Sequence, residues 1–267
     1  MDLPADRWYP AIFKRQSRRD YLTAVPQEQE LALLDEVCQE FRPFAEVRAQ
    51  LVRRSPETVF KGLVGRYGRV NGAPMYVAFI GDMSSPRVQE AAGYTGEGVI
   101  LEATALGLAT CWVGGFFRAG SIRSQIEIRT GERVLAVTPV GYAPPGKTRQ
   151  ERIMSGLVRS RSRKPLSELV AGKSTALWMG KALEAARLAP SARNRQPWRF
   201  RVEEEAVIMA ADRPFSNSSI SKRLDCGIAM LHFELGALAA GARGQWEILP
   251  PPEVARFRPL NISRFRL

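Results

Sequence analysis

Histidine occurs once in this 267-residue chain, as His232, and cysteine only as Cys38, Cys111 and Cys226. A single imidazole excludes a histidine-rich zinc site, and a Ser-His-Asp triad would have to be built on His232 alone. His232 lies in an apolar helix pattern and reads as a core residue or a group that supports a site. The cysteines are odd in number, widely spaced and without a Cys-x-x-Cys pair, so they read as reduced core residues. No apolar run approaches the roughly 18 residues that cross a bilayer, and Met1–Arg7 has no apolar secretory core. A cytoplasmic protein without membrane association is the expectation. The glycines around Gly62, Gly65 and Gly68, and around Gly93, Gly96 and Gly98, lack the Gly-x-Gly-x-x-Gly order of a dinucleotide-binding domain.

Acidic residues are also scarce. Lys and Arg number 39 against 27 Asp and Glu, leaving a net charge of +12 and a pI near 10.2. Basic runs at Lys14–Arg19 and through Arg149, Arg152, Arg159, Arg161, Arg163 and Lys164 could grip a nucleic-acid backbone. No base-stacking aromatic cluster accompanies them, and basic side chains are spread through much of the chain, so a nucleic-acid partner is not expected. A positive field equally speeds encounter with small anions. Hydrophobic residues at 45% and a mean hydropathy of −0.19 fit a soluble globular chain.

Three segments carry chemical information. The first is Lys14-Arg15-Gln16-Ser17-Arg18-Arg19. If it is extended, its alternate residues Arg15, Ser17 and Arg19 share a face, and two guanidinium forks and a hydroxyl can converge on one phosphate. The second is Ala189-Pro190-Ser191-Ala192-Arg193-Asn194-Arg195-Gln196-Pro197-Trp198. It follows a helical pattern over 176–188 that Pro190 stops, and it offers a rigid apolar face at Pro190 and hydrogen-bonding groups at Ser191, Asn194 and Gln196. The third runs from Gly98 to Phe116 and reads as a buried helix closed by Gly107, a short strand, and a turn at Val113-Gly114-Gly115 where backbone N–H groups can approach a ligand.

Gly141-Tyr142-Ala143-Pro144-Pro145-Gly146-Lys147-Thr148 formally satisfies the phosphate-loop pattern after a strand-like run. A phosphate cradle needs successive backbone N–H groups, and Pro144 and Pro145 have none, so the NTPase reading is set aside.

The chain also contains a repeat. Gly98 precedes Leu106-Gly107 and Gly227 precedes Leu235-Gly236 at equal spacing, each in an apolar helix pattern. Each is preceded by a β-rich run, at 74–80 and 206–210. Two related halves are predicted, residues 1–150 and 151–267, interleaved as one cooperative unit.

Together these segments resemble the FMN-dependent nitroreductase family, in its tandem-duplicated, single-chain branch. The resemblance rests on Arg-x-Ser-x-Arg, Pro-Ser-x-x-Asn-x-Gln-Pro-Trp, the Leu-Gly-Leu helix end with its glycine turn, and the late basic pair Arg161 and Arg163. It implies an α+β fold with mixed or antiparallel sheets surrounded by helices, the two halves forming an intramolecular pseudodimer and hence a monomeric protein. It implies FMN, with NAD(P)H as transient reductant and a ping-pong hydride transfer through flavin N5 to a quinone, nitroaromatic or similar acceptor. By position, Arg15, Gln16, Ser17, Arg161 and Arg163 would hold the phosphate end, with Arg19 toward the N1 and C2-carbonyl edge. Val113, Gly114 and Gly115 would approach N5. Pro190, Ser191, Asn194 and Gln196 would flank and hydrogen-bond the ring. The first half has Glu40-Phe41-Arg42-Pro43-Phe44 where a second Pro-Ser loop belongs, so one complete site and one decayed site are expected. The alternative is a flavin-storage or redox-sensing module with a blocked substrate face.

Overall fold

The longest apolar stretches set the architecture. In the first half they form the strand Met75–Asp82 and the helix Val88–Ala105, both almost wholly buried, as a strand covered on two faces and a helix packed on all sides must be. The computed structural model describes residues 2–60, 70–157, 162–173, 176–204, 206–212 and 221–260; Arg161 lies outside them.

Its elements in the first half are α1 (Ala5–Lys14), α2 (Glu28–Glu40), β1 (Val47–Val52), α3 (Glu57–Phe60), β2 (Met75–Asp82), α4 (Val88–Ala105), β3 (Ala109–Thr110), α5 (Ala119–Arg123) and β4 (Glu132–Gly141). The second half contains α6 (Arg149–Leu157), α7 (Leu166–Leu169), β5 (Val170–Ala171), α8 (Leu177–Arg187), β6 (Trp198–Val202), β7 (Val207–Ala211), α9 (Lys222–Ala239), β8 (Gly244–Ile248) and β9 (Glu253–Pro259). One sheet has the order β1-β2-β4-β3 and the other β5-β6-β7-β9-β8. Neighbours are antiparallel except β5 and β6. The fold is therefore α+β, with α4 packed on the first sheet, α9 on the second, and the two helices against each other. Among the described residues no helix is long and apolar enough to cross a membrane.

Strand order repeats between the halves, since β1-β2-β4-β3 and β6-β7-β9-β8 have the same succession around α4 and α9. Contacts between those helices are reciprocal as well. A Cβ on Gly93 would collide with the Leu224 carbonyl, and a Cβ on Gly227 with the Glu90 carbonyl, so each glycine lets the backbones approach closely. At the helix ends Gly107 and Gly241 both have positive φ. Leu108 N–H donates to Ala103 and Ala242 N–H to Ala237, the same six-to-one bond closing both helices. The Gly93/Gly227 and Gly107/Gly241 pairs have one constant spacing, and the starts of α4 and α9 share it. This register differs by a few residues from the one that matches Leu106-Gly107 with Leu235-Gly236. Gly236 lies inside α9, where its missing side chain admits Ala182 and Lys181 of α8.

Carboxyl groups are buried along α4. Glu90 pairs with Arg223 and Glu102 with Arg7, whereas Glu97 hydrogen-bonds His232 and only stands 3.7 Å from Arg15. Removing one member of such a pair leaves a buried charge uncompensated, at a cost of about 3–5 kcal/mol.

Candidate functional site

Arg15 ends α1 in an extended conformation, and the chain continues along the strand edge through parallel bridges from Ser17 to Thr110 and from Asp20 to Asn71. Alternation then separates the side chains. Arg18 turns toward Glu151, with Nε 3.1 Å from Oε1, and its Nη2 donates to the Pro144 and Gly146 carbonyls at 3.0 and 2.5 Å. The 141–148 loop thus presents carbonyl oxygens to a guanidinium, the reverse of a phosphate cradle. Arg15, Ser17 and Arg19 belong to the other alternation class; Gln16 is exposed.

Because the Arg15–Ser17 segment lies against Thr110, it also lies beside the turn that follows β3. Val113 exchanges both backbone hydrogen bonds with Val137 at 2.9 Å, which anchors the start of the Gly114-Gly115 turn. Trp112 Nε1, just before it, donates to Glu97 Oε2 at 2.6 Å. Arg15 Nε stands 3.7 Å from Glu97 Oε1. Two segments distant in sequence, Arg15–Ser17 and 112–115, are therefore tied to one buried carboxylate on α4.

The second half contributes the 189–196 loop. Here α8 ends at Arg187, as Pro190 dictates. Arg193, Asn194 and Gln196 have φ of 58, 53 and 48°, three non-glycine residues in the left-handed region within one short loop. That conformation costs on the order of 1 kcal/mol or more per residue and persists only where hydrogen bonds over-determine it. They do here. Gln196 N–H donates to Ser191 Oγ at 2.9 Å, Asn194 N–H to the Ser191 carbonyl at 3.0 Å, and Ala192 N–H to Asp225 Oδ1 at 3.0 Å. Asp225, buried on α9, also accepts from Arg195 Nε at 2.7 Å. Burial outweighs Arg195 and pushes the Asp225 carboxyl up to about 6.

The same loop grips the basic segment that precedes α7. Asn194 Nδ2 donates to the Ser162 carbonyl at 2.9 Å, Lys164 N–H donates to Gln196 Oε1 at 2.8 Å, and Arg163 Nη1 donates to Asn194 Oδ1 at 3.2 Å. Arg163 Nη2 further donates to the Leu188 carbonyl at 3.1 Å. The amides of Asn194 and Gln196, which sequence reasoning directs toward a ligand, are directed in this structure to residues 162–164; Pro190 and Ser191 stay half-buried at the loop's start.

The result is a concentration of positive charge where the halves meet. Burial, then the charges of Arg15 and Arg187, lower the Arg163 guanidinium to about 10. Arg187 is clamped by Glu184 one turn earlier on α8. Arg15 has a side chain 7% exposed, yet its Nε and Nη1 are buried and make no hydrogen bond among the described residues. Buried donors of this kind are matched by an anion with several acceptor oxygens. The donor set fits a phosphate monoester. Glu97, Arg187 and Asp225 were missed from the sequence; the available signal was a carboxylate inside an otherwise apolar helix pattern at positions 97 and 225.

Comparison with solved structures shows the same fold in a putative nitroreductase from Thermotoga maritima, at 19% identity and TM-score 0.63, covering 94% of this chain and 93% of that one. A nitroreductase family protein from Clostridium difficile aligns over 63% of this chain and 98% of its own, at 20% identity and TM-score 0.45. A nitroreductase with bound FMN from Desulfitobacterium hafniense aligns over 55% and 92%, at 20% identity and TM-score 0.44. No curated protein matches the chain. The family model described as Putative TM nitroreductase matches residues 7–237, and the chain belongs to that family.

Proposed function

We propose that this protein is an FMN-dependent NAD(P)H oxidoreductase of nitroreductase type, reducing a small acceptor such as a quinone or nitroaromatic compound. The observation that carries the reading is the buried, hydrogen-bond-deficient Arg15 guanidinium set beside Arg163 at the seam between the halves. Arg15, Ser17 and Arg163 hold the phosphate end, Arg19 lies toward the polar edge of the ring, and Gly114 and Gly115 let the backbone approach without a side chain between. Pro190 supplies the apolar flank from the second half. Asn194 and Gln196 act by fixing residues 162–164, which sets the direction of Arg163. When bound, FMN supplies the redox chemistry, accepting and returning a hydride.

The repeated strand order, the reciprocal Gly93 and Gly227 contacts and the paired helix caps support an internal duplication that makes one chain the counterpart of a two-subunit protein. A monomer follows, with donor and acceptor alternating at one face. The test is a spectrum of the purified protein: flavin absorbance that bleaches on anaerobic addition of NADPH or NADH and returns on addition of a quinone. Protein that neither retains nor takes up FMN overturns the assignment. Protein that takes up FMN but shows no turnover with either nicotinamide is instead a flavin carrier.

A further inference from the structure

His232 has no task in the site as described, although it is fully buried against Glu97. It projects from α9, and both ring nitrogens face acceptors. Nδ1 is 3.1 Å from the Ala185 carbonyl oxygen on α8, and Nε2 is 2.9 Å from Glu97 Oε1 on α4. A carbonyl oxygen only accepts, so Nδ1 carries a proton. Nε2 beside a carboxyl oxygen then allows two arrangements, an imidazolium with a carboxylate or a neutral imidazole with a protonated carboxyl. Both leave the pair without net charge. The second Glu97 oxygen accepts from Trp112 Nε1 at 2.6 Å. Each oxygen of the carboxyl that faces Arg15 thus already makes one hydrogen bond, and Arg15 stands 3.7 Å away, within ion-pair range but beyond hydrogen-bonding distance.

The constant spacing that relates α4 to α9 pairs His232 with Gly98 and Glu97 with Leu231. At the corresponding place Gly98 packs on Phe41 and Trp8 instead of making a polar contact. The Glu97–His232 pair is therefore not required by the helix crossing itself. It occurs on the side where Arg15 and Arg163 meet.

We propose that His232 is a positioning residue of the anion site: by neutralising Glu97, it prevents that carboxylate from capturing Arg15 and keeps the guanidinium available to the phosphate end of the ligand. This inference rests on the FMN reading above. Without the imidazole, Glu97 would be a bare buried carboxylate next to Arg15, and the present 3.7 Å separation would close into a hydrogen-bonded ion pair that competes with phosphate. Through Ala185, His232 also ties this arrangement to α8, which leads directly into the 189–196 loop.

Fluorescence titration of the full-length protein with FMN and, separately, with riboflavin tests this, because riboflavin has the ring but no phosphate. His232→Gln is expected to raise the FMN Kd about tenfold or more while the riboflavin Kd changes less than about twofold. Adding Glu97→Gln to that variant removes the competing charge and is expected to restore FMN affinity to within about threefold of the parent. Glu97→Gln alone is expected to keep or tighten FMN binding. Parallel weakening of FMN and riboflavin in His232→Gln, or a double variant that binds FMN no better than the single one, overturns the proposal. If His232→Gln does not fold, Glu97→Gln decides it, since selective weakening of FMN there is the opposite of the expectation. A parent protein with no preference for FMN over riboflavin defeats the cofactor reading itself, a result distinct from all of these.

Discussion

Corresponding places on the two faces of the α4–α9 pair have opposite characters. On one, Arg15, Glu97, His232, Arg163 and Asn194 form a polar cluster in which Arg15 Nε and Nη1 are buried without a hydrogen bond among the described residues. On the other, Phe41 packs edge-on to Trp8 with centroids 4.9 Å apart and stacks on Tyr94 at 6.2 Å, while Phe44 meets Tyr94 at 5.4 Å. Gly98 makes room for Phe41 there, as no larger residue could. One backbone arrangement thus supports a polar cluster or a sealed aromatic core, and the choice is made by a few side chains. The polar side keeps donors apart from acceptors; the aromatic side gains about 0.5–1.5 kcal/mol per aromatic pair beyond its burial.

The comparison breaks most visibly on the filled side. Phe41→Ala is expected to lower stability by about 3–5 kcal/mol in urea or thermal unfolding, while FMN affinity of the folded protein shifts less than about twofold. Arg15→Ala inverts that pattern. Its FMN Kd is expected to rise about a hundredfold in fluorescence titrations, with the melting temperature of the flavin-free protein held or raised, because a cation is removed from among other cations. A loss of stability comparable to that of Phe41→Ala would show Arg15 to be a core residue.

Asp225, which braces the 189–196 loop, sharpens the contrast through pH. Its carboxyl stands near 6 in the folded chain against an ordinary 3.8. A carboxyl raised by folding stabilises the folded state fully below about pH 4, and that contribution is lost as pH rises through 6. Asp225→Asn removes the loss, so the stability difference between variant and parent is expected to move in the variant's favour by about 2–3 kcal/mol between pH 4 and pH 7. Urea unfolding at the two pH values reads it directly. The smallest effect concerns what the halves share. Gly107→Ala and Gly241→Ala place a side chain on the same left-handed cap, and each is expected to cost about 1 kcal/mol. Unequal costs would show that the two helix ends are not equivalent.

Much of this was legible because it is local. The apolar runs that become β2, β7, α4 and α9 are visible at once, Pro190 marks the end of α8 to within a few residues, and the prolines at 144 and 145 rule out the phosphate loop before any carbonyl is seen to face Arg18. The register between the halves was harder to read. Leu106-Gly107 and Leu235-Gly236 look alike as letters, but one glycine ends a helix and the other lets two helices touch. A sequence match does not distinguish a glycine needed for its φ from one needed for its small size. Asn194 and Gln196 were recognisable as amides that must bond to something. That their partners are residues 162–164 depends on the path of the chain outside the loop.

Alone, the order of residues determined the element types, the candidate phosphate segment and the family resemblance, since these follow from side-chain period, backbone stereochemistry and short fixed motifs. Only the tertiary structure decided which carboxylate faces Arg15, that His232 holds that carboxylate, and that Asn194 of the Pro-Ser loop holds Arg163. Those relations join groups far apart in the chain, and electrostatic pairing in a buried interior depends on distance and desolvation, which a linear sequence does not contain.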